Sequence, residues 1–153
     1  MTRIIAYLCI VLTSTLYAQD DETIKVKAAV DTFFEGFHKG DTILMKSVMM
    51  DKILLQTTYT NKEGKNVLVT EEPSKLINAI ANRTSDQKWD ERLLDYKIQI
   101  DGIMANVWTP YEFWFNDAFS HCGVNCFQLF NDNGQWKIIY LIDTRRKQDC
   151  NQP

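Results

Sequence analysis

Most of the chemistry this 153-residue sequence can offer lies in two histidines, three late cysteines and one Asp-x-Arg-Arg run. His121 is the candidate proton carrier, because an imidazole titrates near pH 6.5 and exchanges protons at working pH. The competing reading is a strand-end histidine bonded to backbone or stacked on an aromatic ring. His38 falls at a helix end beside Gly40, where it would serve the helix C-terminus. Asp143 and Arg145 are two residues apart on one strand, so they share a face and can pair. Arg146 points the other way, toward an anionic ligand group or into a surface charge cluster.

Cys122 and Cys126 stand four residues apart on a strand, roughly 13 Å at about 3.3 Å per residue. That is too far for a disulfide. His121, the imidazole nearby, faces the opposite side, so no metal site is expected and no cofactor is implied. The last strand ends beside the start of the one before it, which brings the tail after Arg146 close to Cys122. A Cys122–Cys150 disulfide is therefore predicted, with Cys126 left as a buried thiol.

Hairpin register sorts the remaining side chains. With Asn133-Gly134 as the turn pair, His121 opposes Arg146, Gly123 opposes Thr144, Asn125 opposes Ile142, Phe127 opposes Tyr140 and Leu129 opposes Ile138. A slip of one residue would exchange the faces. With Asp101-Gly102 as a second turn, Tyr96, Ile98 and Ile100 share a face with Ile103, Ala105, Val107, Thr109 and Tyr111.

The elements that position these groups read in chain order. Val26, Val30, Phe33, Phe34 and Phe37 form one stripe of an amphipathic helix from Thr23 to Lys39. Gly40 ends it, and Asp41 caps a second helix through Ile43, Leu44 and Val48. Ile53 to Thr60 is a strand, turned by residues 61–64, and Val67 to Val69 pairs back. Pro73 starts a third helix through Leu76, Ile77 and Ile80. From Trp89 on the period is two, with strands through Ile100, Ile103 to Phe115, Phe119 to Phe130 and Trp136 to Arg145. Helices followed by a meander predict an α+β fold, a curved and mainly antiparallel sheet with helices on one face.

Three segments carry a family likeness. They are Phe33-Phe34-Glu35-Gly36-Phe37-His38-Lys39-Gly40-Asp41, Gly134-Gln135-Trp136-Lys137-Ile138, and Ser120-His121-Cys122-Gly123-Val124-Asn125 with Asp143-Thr144-Arg145-Arg146. In this order they resemble the nuclear transport factor 2-like superfamily, the cystatin-like cone. Within it they are similar to a secreted bacterial subgroup near those called SnoaL-like or lumazine-binding. The resemblance spans about residues 24–147 and implies a conical pocket, not a reaction. Tyr96, Thr109 and Tyr111 would line it from one hairpin. His121, Asn125, Phe127, Tyr140, Thr144 and Arg146 would line it from the next. Members often dimerise through the outer sheet face, which here would present Trp108 and Trp114.

The N-terminus reads as a cleavable leader over residues 1–18. Arg3 precedes an uncharged apolar run from Ile4 to Leu16, and Ala18 offers a small residue at the cut. The run is short of the roughly 20 residues a membrane span needs. Residues 19–153 then form a single exported domain, periplasmic or secreted, with no membrane segment after cleavage. The formal charge of −3 and the lack of a basic cluster beyond Arg145-Arg146-Lys147 argue against nucleic acid. Three functions remain. One is a binding module holding a small organic molecule in an aromatic-lined cone. A second is an isomerase- or dehydratase-type enzyme using His121 as acid/base, with Tyr111 or Asn125 polarising a carbonyl. The third is an interaction protein whose cup is closed by Phe34, Phe127 and Tyr140. The enzyme reading lacks a carboxylate on the inner face of the strands.

Overall fold

A computed structural model describes residues 2–150, with side chains from residue 21 onward. The predicted leader, residues 1–18, lies outside the residues whose side chains are described. Helix α1 (Thr2–Lys39) places Val26, Val30, Phe33, Phe34 and Phe37 in the core, as their spacing demands. Its opposite face carries the i,i+4 ion pairs Lys27–Asp31 and Lys39–Glu35. Gly40 takes a left-handed conformation (φ +75°), where a β-carbon would be strained. Arg83 then donates to the Phe37 and His38 carbonyls at 3.2 and 2.6 Å, satisfying the end of the helix. Asp41 caps α2 (Thr42–Ser47), accepting from the Ile43 and Leu44 N–H groups. Pro73 opens α3 (Pro73–Ala81).

Seven strands form one sheet: β1 (Met49–Thr60), β2 (Asn66–Glu71), β3 (Trp89–Leu93), β4 (Lys97–Asp101), β5 (Met104–Phe115), β6 (Ala118–Asp132) and β7 (Gln135–Arg145). Their order is β2-β1-β7-β6-β5-β3, with β4 also on β5. Only the β1–β7 contact is parallel. The α1 stripe packs on the inner face, where Phe33 and Phe34 meet Phe127 edge-on at 5.9 and 6.0 Å.

Two registers depart from the sequence reading. The β4–β5 turn pair is Gly102-Ile103, so Asp101 opposes Met104 and Ile98 opposes Val107. A shift of two keeps every side chain on its expected face, except that Ile103 itself sits exposed in the turn. The run from Trp89 to Ile100 is also broken at residues 94–96. The break falls beside Pro110 of β5, which has no N–H to offer a neighbour, and the Pro110 carbonyl accepts from Leu94 N–H instead.

The β6–β7 hairpin differs with greater effect. The expected register holds from the turn to Leu129↔Ile138. A bulge at Ile139 then moves Gln128 opposite Tyr140, Phe127 opposite Leu141 and Asn125 opposite Asp143. The outer half of β7 is thereby turned over. Leu141, Asp143 and Arg145 face the helices, while Tyr140, Ile142 and Thr144 face out. Cys122 and Arg146 exchange both backbone hydrogen bonds at 2.9 Å, and the Cys122–Cys150 disulfide pins the tail beside them.

Candidate functional site

A cavity of about 320 Å³ opens between the end of α1, α3 and the inner face of the sheet. Phe37, Trp89, Tyr111 and Phe113 give it an aromatic wall, and Leu76 and Ala79 of α3 close one side. Phe37 and Phe113 both contact the Trp89 ring, with centroids at 5.6 and 6.4 Å. The Trp89 indole N–H is buried and has no hydrogen-bond partner among the described residues. Glu91, His121 and Arg145 bring polar atoms into the same cavity.

Backbone geometry sets these groups. Trp89, Glu91 and Leu93 alternate on the inner face of β3, and the Glu91 N–H donates to His38 Nε2 at 2.9 Å. His38 therefore ties β3 to the end of α1 and keeps its own proton on Nδ1. Asn125 Nδ2 donates to Glu91 Oε1 at 2.7 Å. Asp143, 8% exposed, accepts from Thr57 Oγ1 at 2.5 Å, Tyr111 hydroxyl at 3.0 Å and Arg145 Nε at 2.7 Å. The Tyr111 hydroxyl is also 3.0 Å from the Thr144 carbonyl. Gly123 permits this approach, since a β-carbon there would lie 1.7 Å from Thr144 O and 2.9 Å from the Tyr111 ring.

Burial pushes the Glu91 carboxyl up to about 7, helped by the Asp143 charge and opposed by Asn125 and Arg145. The group is close to half-protonated at neutral pH. Burial pulls His121 down to about 4, and the Arg145 and Lys147 charges act the same way. His121 is thus a neutral imidazole at pH 7. It stands edge-on to Tyr111 and 3.1 Å from Ser120 Oγ. Burial and the Asp143 charge hold Tyr111 well above its ordinary value, so it remains a hydrogen-bond donor. An acid/base poised near working pH, facing an aromatic slot with a guanidinium beside it, can move a proton on a bound molecule. Among the described residues no group of three or more His, Cys, Asp or Glu side chains converges to hold a metal ion.

The expected lining residues are divided. Tyr111 and His121 reach the cavity wall, and Asn125 stands behind it holding Glu91. Thr109 and Phe127 lie on the expected face but are wholly buried in the core beneath. Tyr96 faces a separate groove, donating to Asp31 Oδ1 with Lys27 over its ring. The bulge at Ile139 takes Tyr140, Thr144 and Arg146 off the inner face. Tyr140 donates to Gln56 Oε1, Thr144 Oγ1 accepts from Val124 N–H, and Arg146 Nε donates to the Asp149 carbonyl. The Asp143–Arg145 pair forms as expected, on the inner face. The carboxylate missing from the enzyme reading is thus present twice, as Glu91 and Asp143. Glu112 instead accepts from Trp114 Nε1. Glu91 was legible: Trp-x-Glu-x-Leu places a carboxylate between two apolar residues on one strand face. Phe34 and Phe127 do meet in the core, but the cavity lined by Phe37, Trp89, Tyr111 and Phe113 stays open.

No protein-family model matches the sequence, and no curated protein matches it. Solved structures do. A nuclear transport factor 2-like protein from Cytophaga hutchinsonii superposes with a TM-score of 0.62 at 17% identity, covering 84% of this chain and 98% of that one. A protein with a cystatin-like fold from Nostoc punctiforme gives 0.62 at 11%, covering 82% and 92%. A candidate scytalone dehydratase from Novosphingobium aromaticivorans gives 0.64 at 10%, covering 84% and 86%. This chain has the cystatin-like cone fold of the nuclear transport factor 2-like proteins.

Proposed function

We infer that the cavity binds a small ring-containing organic molecule and that Glu91 exchanges a proton with it, as in an isomerase or dehydratase. The observation that carries this is the Glu91 carboxyl, held near pH 7 at the wall of an aromatic slot. Arg145 and neutral His121 stand where they can donate to an oxygen that gains charge. Tyr111 is committed to Asp143 and Thr144, which favours a supporting role for it. The dehydratase reading of the Novosphingobium neighbour is in keeping with this chemistry.

A ketone-bearing bicyclic probe such as 2-tetralone tests the reading without knowledge of the substrate. Wild-type protein in deuterium oxide should speed hydrogen–deuterium exchange beside the carbonyl, and Glu91→Gln should not. Binding without exchange would leave a non-catalytic binding module, the second reading, which the full commitment of the Tyr111 hydroxyl favours.

Export fits the same picture: the leader-like residues 1–18 precede a domain whose tail is closed by a disulfide, as suits an oxidising compartment. Trp108 and Leu54, each more than two-fifths exposed on the outer sheet face, support a homodimer through that face. Mass measurement of the exported, unreduced protein would report leader loss, the disulfide and the oligomeric state together.

A further inference from the structure

The inner cavity does not end at Arg145. A larger groove of about 1020 Å³ begins there and shares Glu71, His121 and Arg145 with it. The character of the walls changes across that boundary. Inside, aromatic rings dominate and the cations Lys75 and Arg145 are balanced by the carboxylates Glu71 and Glu91, whereas outside the walls carry Lys62, Arg145, Arg146 and Lys147 against the carboxylates of Glu71 and Asp149. Four cations against two anions is the reverse of the chain as a whole, whose formal charge is −3.

Two of these cations are already engaged and two are not. Arg145 Nε is paired with Asp143, and its Nη2 donates to Thr57 at 3.2 Å. Arg146 Nε donates to the Asp149 carbonyl. Among the described residues Lys62 and Lys147 have no ion-pair partner. The charge of Lys147 is nevertheless felt at His121 on the shared boundary. The wall that carries Lys147 is not a loose tail. It is held at one end by the Cys122–Arg146 backbone pair and at the other by the Cys122–Cys150 disulfide.

The geometry points to an anion subsite at the mouth of the cone, formed by Lys62 and Lys147 with Arg145. The ligand is then a ring-bearing organic anion, its ring in the aromatic chamber and its carboxylate, sulfate or phosphate in the basic vestibule. This rests on the binding reading above and adds the ligand's charge to it. A basic vestibule in an acidic protein would also concentrate anions and steer them to the opening.

Naphthalene-2-carboxylate and its neutral amide differ in charge and hardly in shape. Calorimetric titration at low ionic strength should give the carboxylate an advantage of about tenfold, shrinking as added salt screens the subsite. The double variant Lys62→Ala/Lys147→Ala changes only exposed side chains. It should lose most of that advantage while binding the amide as wild type does. Equal affinities in the wild type would overturn the anion subsite and leave the chamber standing. An advantage retained by the double variant would overturn its assignment to these lysines. Failure of both probes to bind at millimolar concentration would remove the aromatic chamber and the subsite with it.

Discussion

Replacing Glu91 by Gln should make the protein more stable above about pH 4.5, with the full gain reached near pH 7. The carboxyl titrates at about 7 in the folded chain against 4.5 for an ordinary glutamate. Folding therefore disfavours the charged form. A carboxyl raised in this way costs nothing while both states are protonated, below about pH 4.5. Between 4.5 and 7 the folded state holds more protons than the unfolded one, so stability falls as pH rises. Above 7 the full cost is present, roughly 3 kcal/mol at about 1.4 kcal/mol per pH unit. Gln is nearly isosteric, and its carbonyl can still accept from Asn125. At pH 8.5 the variant should melt about 10 °C above wild type, taking roughly 3–5 °C per kcal/mol for a domain of this size. At pH 4.5 the two should melt together.

His121 supplies an internal check. Its folded value of about 4 lies below the ordinary 6.5, so its contribution is complete above 6.5 and is lost as pH falls through 4. In wild type the two groups slope in opposite directions from 4.5 to 6.5 and largely cancel. In Glu91→Gln only the His121 slope remains, and stability should rise with pH across that window. Thermal melts of both proteins from pH 4.5 to 8.5 read all of this. A melting-point difference independent of pH, or a variant less stable at pH 8.5, would refute the burial argument for Glu91.

Other expectations follow from single contacts. Gly123→Ala should cost at least about 3 kcal/mol in urea unfolding, because the new methyl meets the backbone of β7 rather than a yielding side chain. Tyr111→Phe should cost about 1–3 kcal/mol, since Asp143 loses one of three donors in a buried site. Cys150→Ser should cost roughly 3–4 kcal/mol for a loop closed over 28 residues, and dithiothreitol should lower wild type, but not the variant, by a similar amount.

How much of this was legible depends on the range of the signal. The α1 stripe, the Asp41 cap, Pro73 and the Asn133-Gly134 turn are local, and each acts where the sequence places it. The disulfide was legible because hairpin topology puts Arg146 beside Cys122 whichever way the register falls by one. The β4–β5 register was off by two with little consequence, since period-two alternation survives an even shift. The bulge at Ile139 was not legible. Ile138, Ile139 and Ile142 are all branched and apolar, so nothing in residue type marks the point where β7 turns over. That single residue decided the fate of Tyr140, Thr144, Asp143 and Arg145.

The bulge also explains how the cone can be apolar at one end and charged at the other. Before it, Trp136 and Ile138 meet the α1 stripe and close the narrow end of the core. After it, an unbroken alternation would have sent Tyr140 and Ile142 inward and continued that apolar packing to the mouth. The slip instead turns Asp143 and Arg145 in, opposite Asn125 and within the field of Glu91. Such a cluster is a poor choice for stability alone, because an apolar packing of similar volume holds a fold at least as well as buried charge does. Its three hydrogen-bonded donors to Asp143 offset the cost of that charge, whereas the single Asn125 donor and the Arg145 charge leave Glu91 beside it raised. The less compensated group is the one that faces the open cavity. A carboxyl left in a costly state at the wall of a chamber, while Asp143 beside it is held by three donors, is the arrangement expected of a group kept for what it does to a ligand.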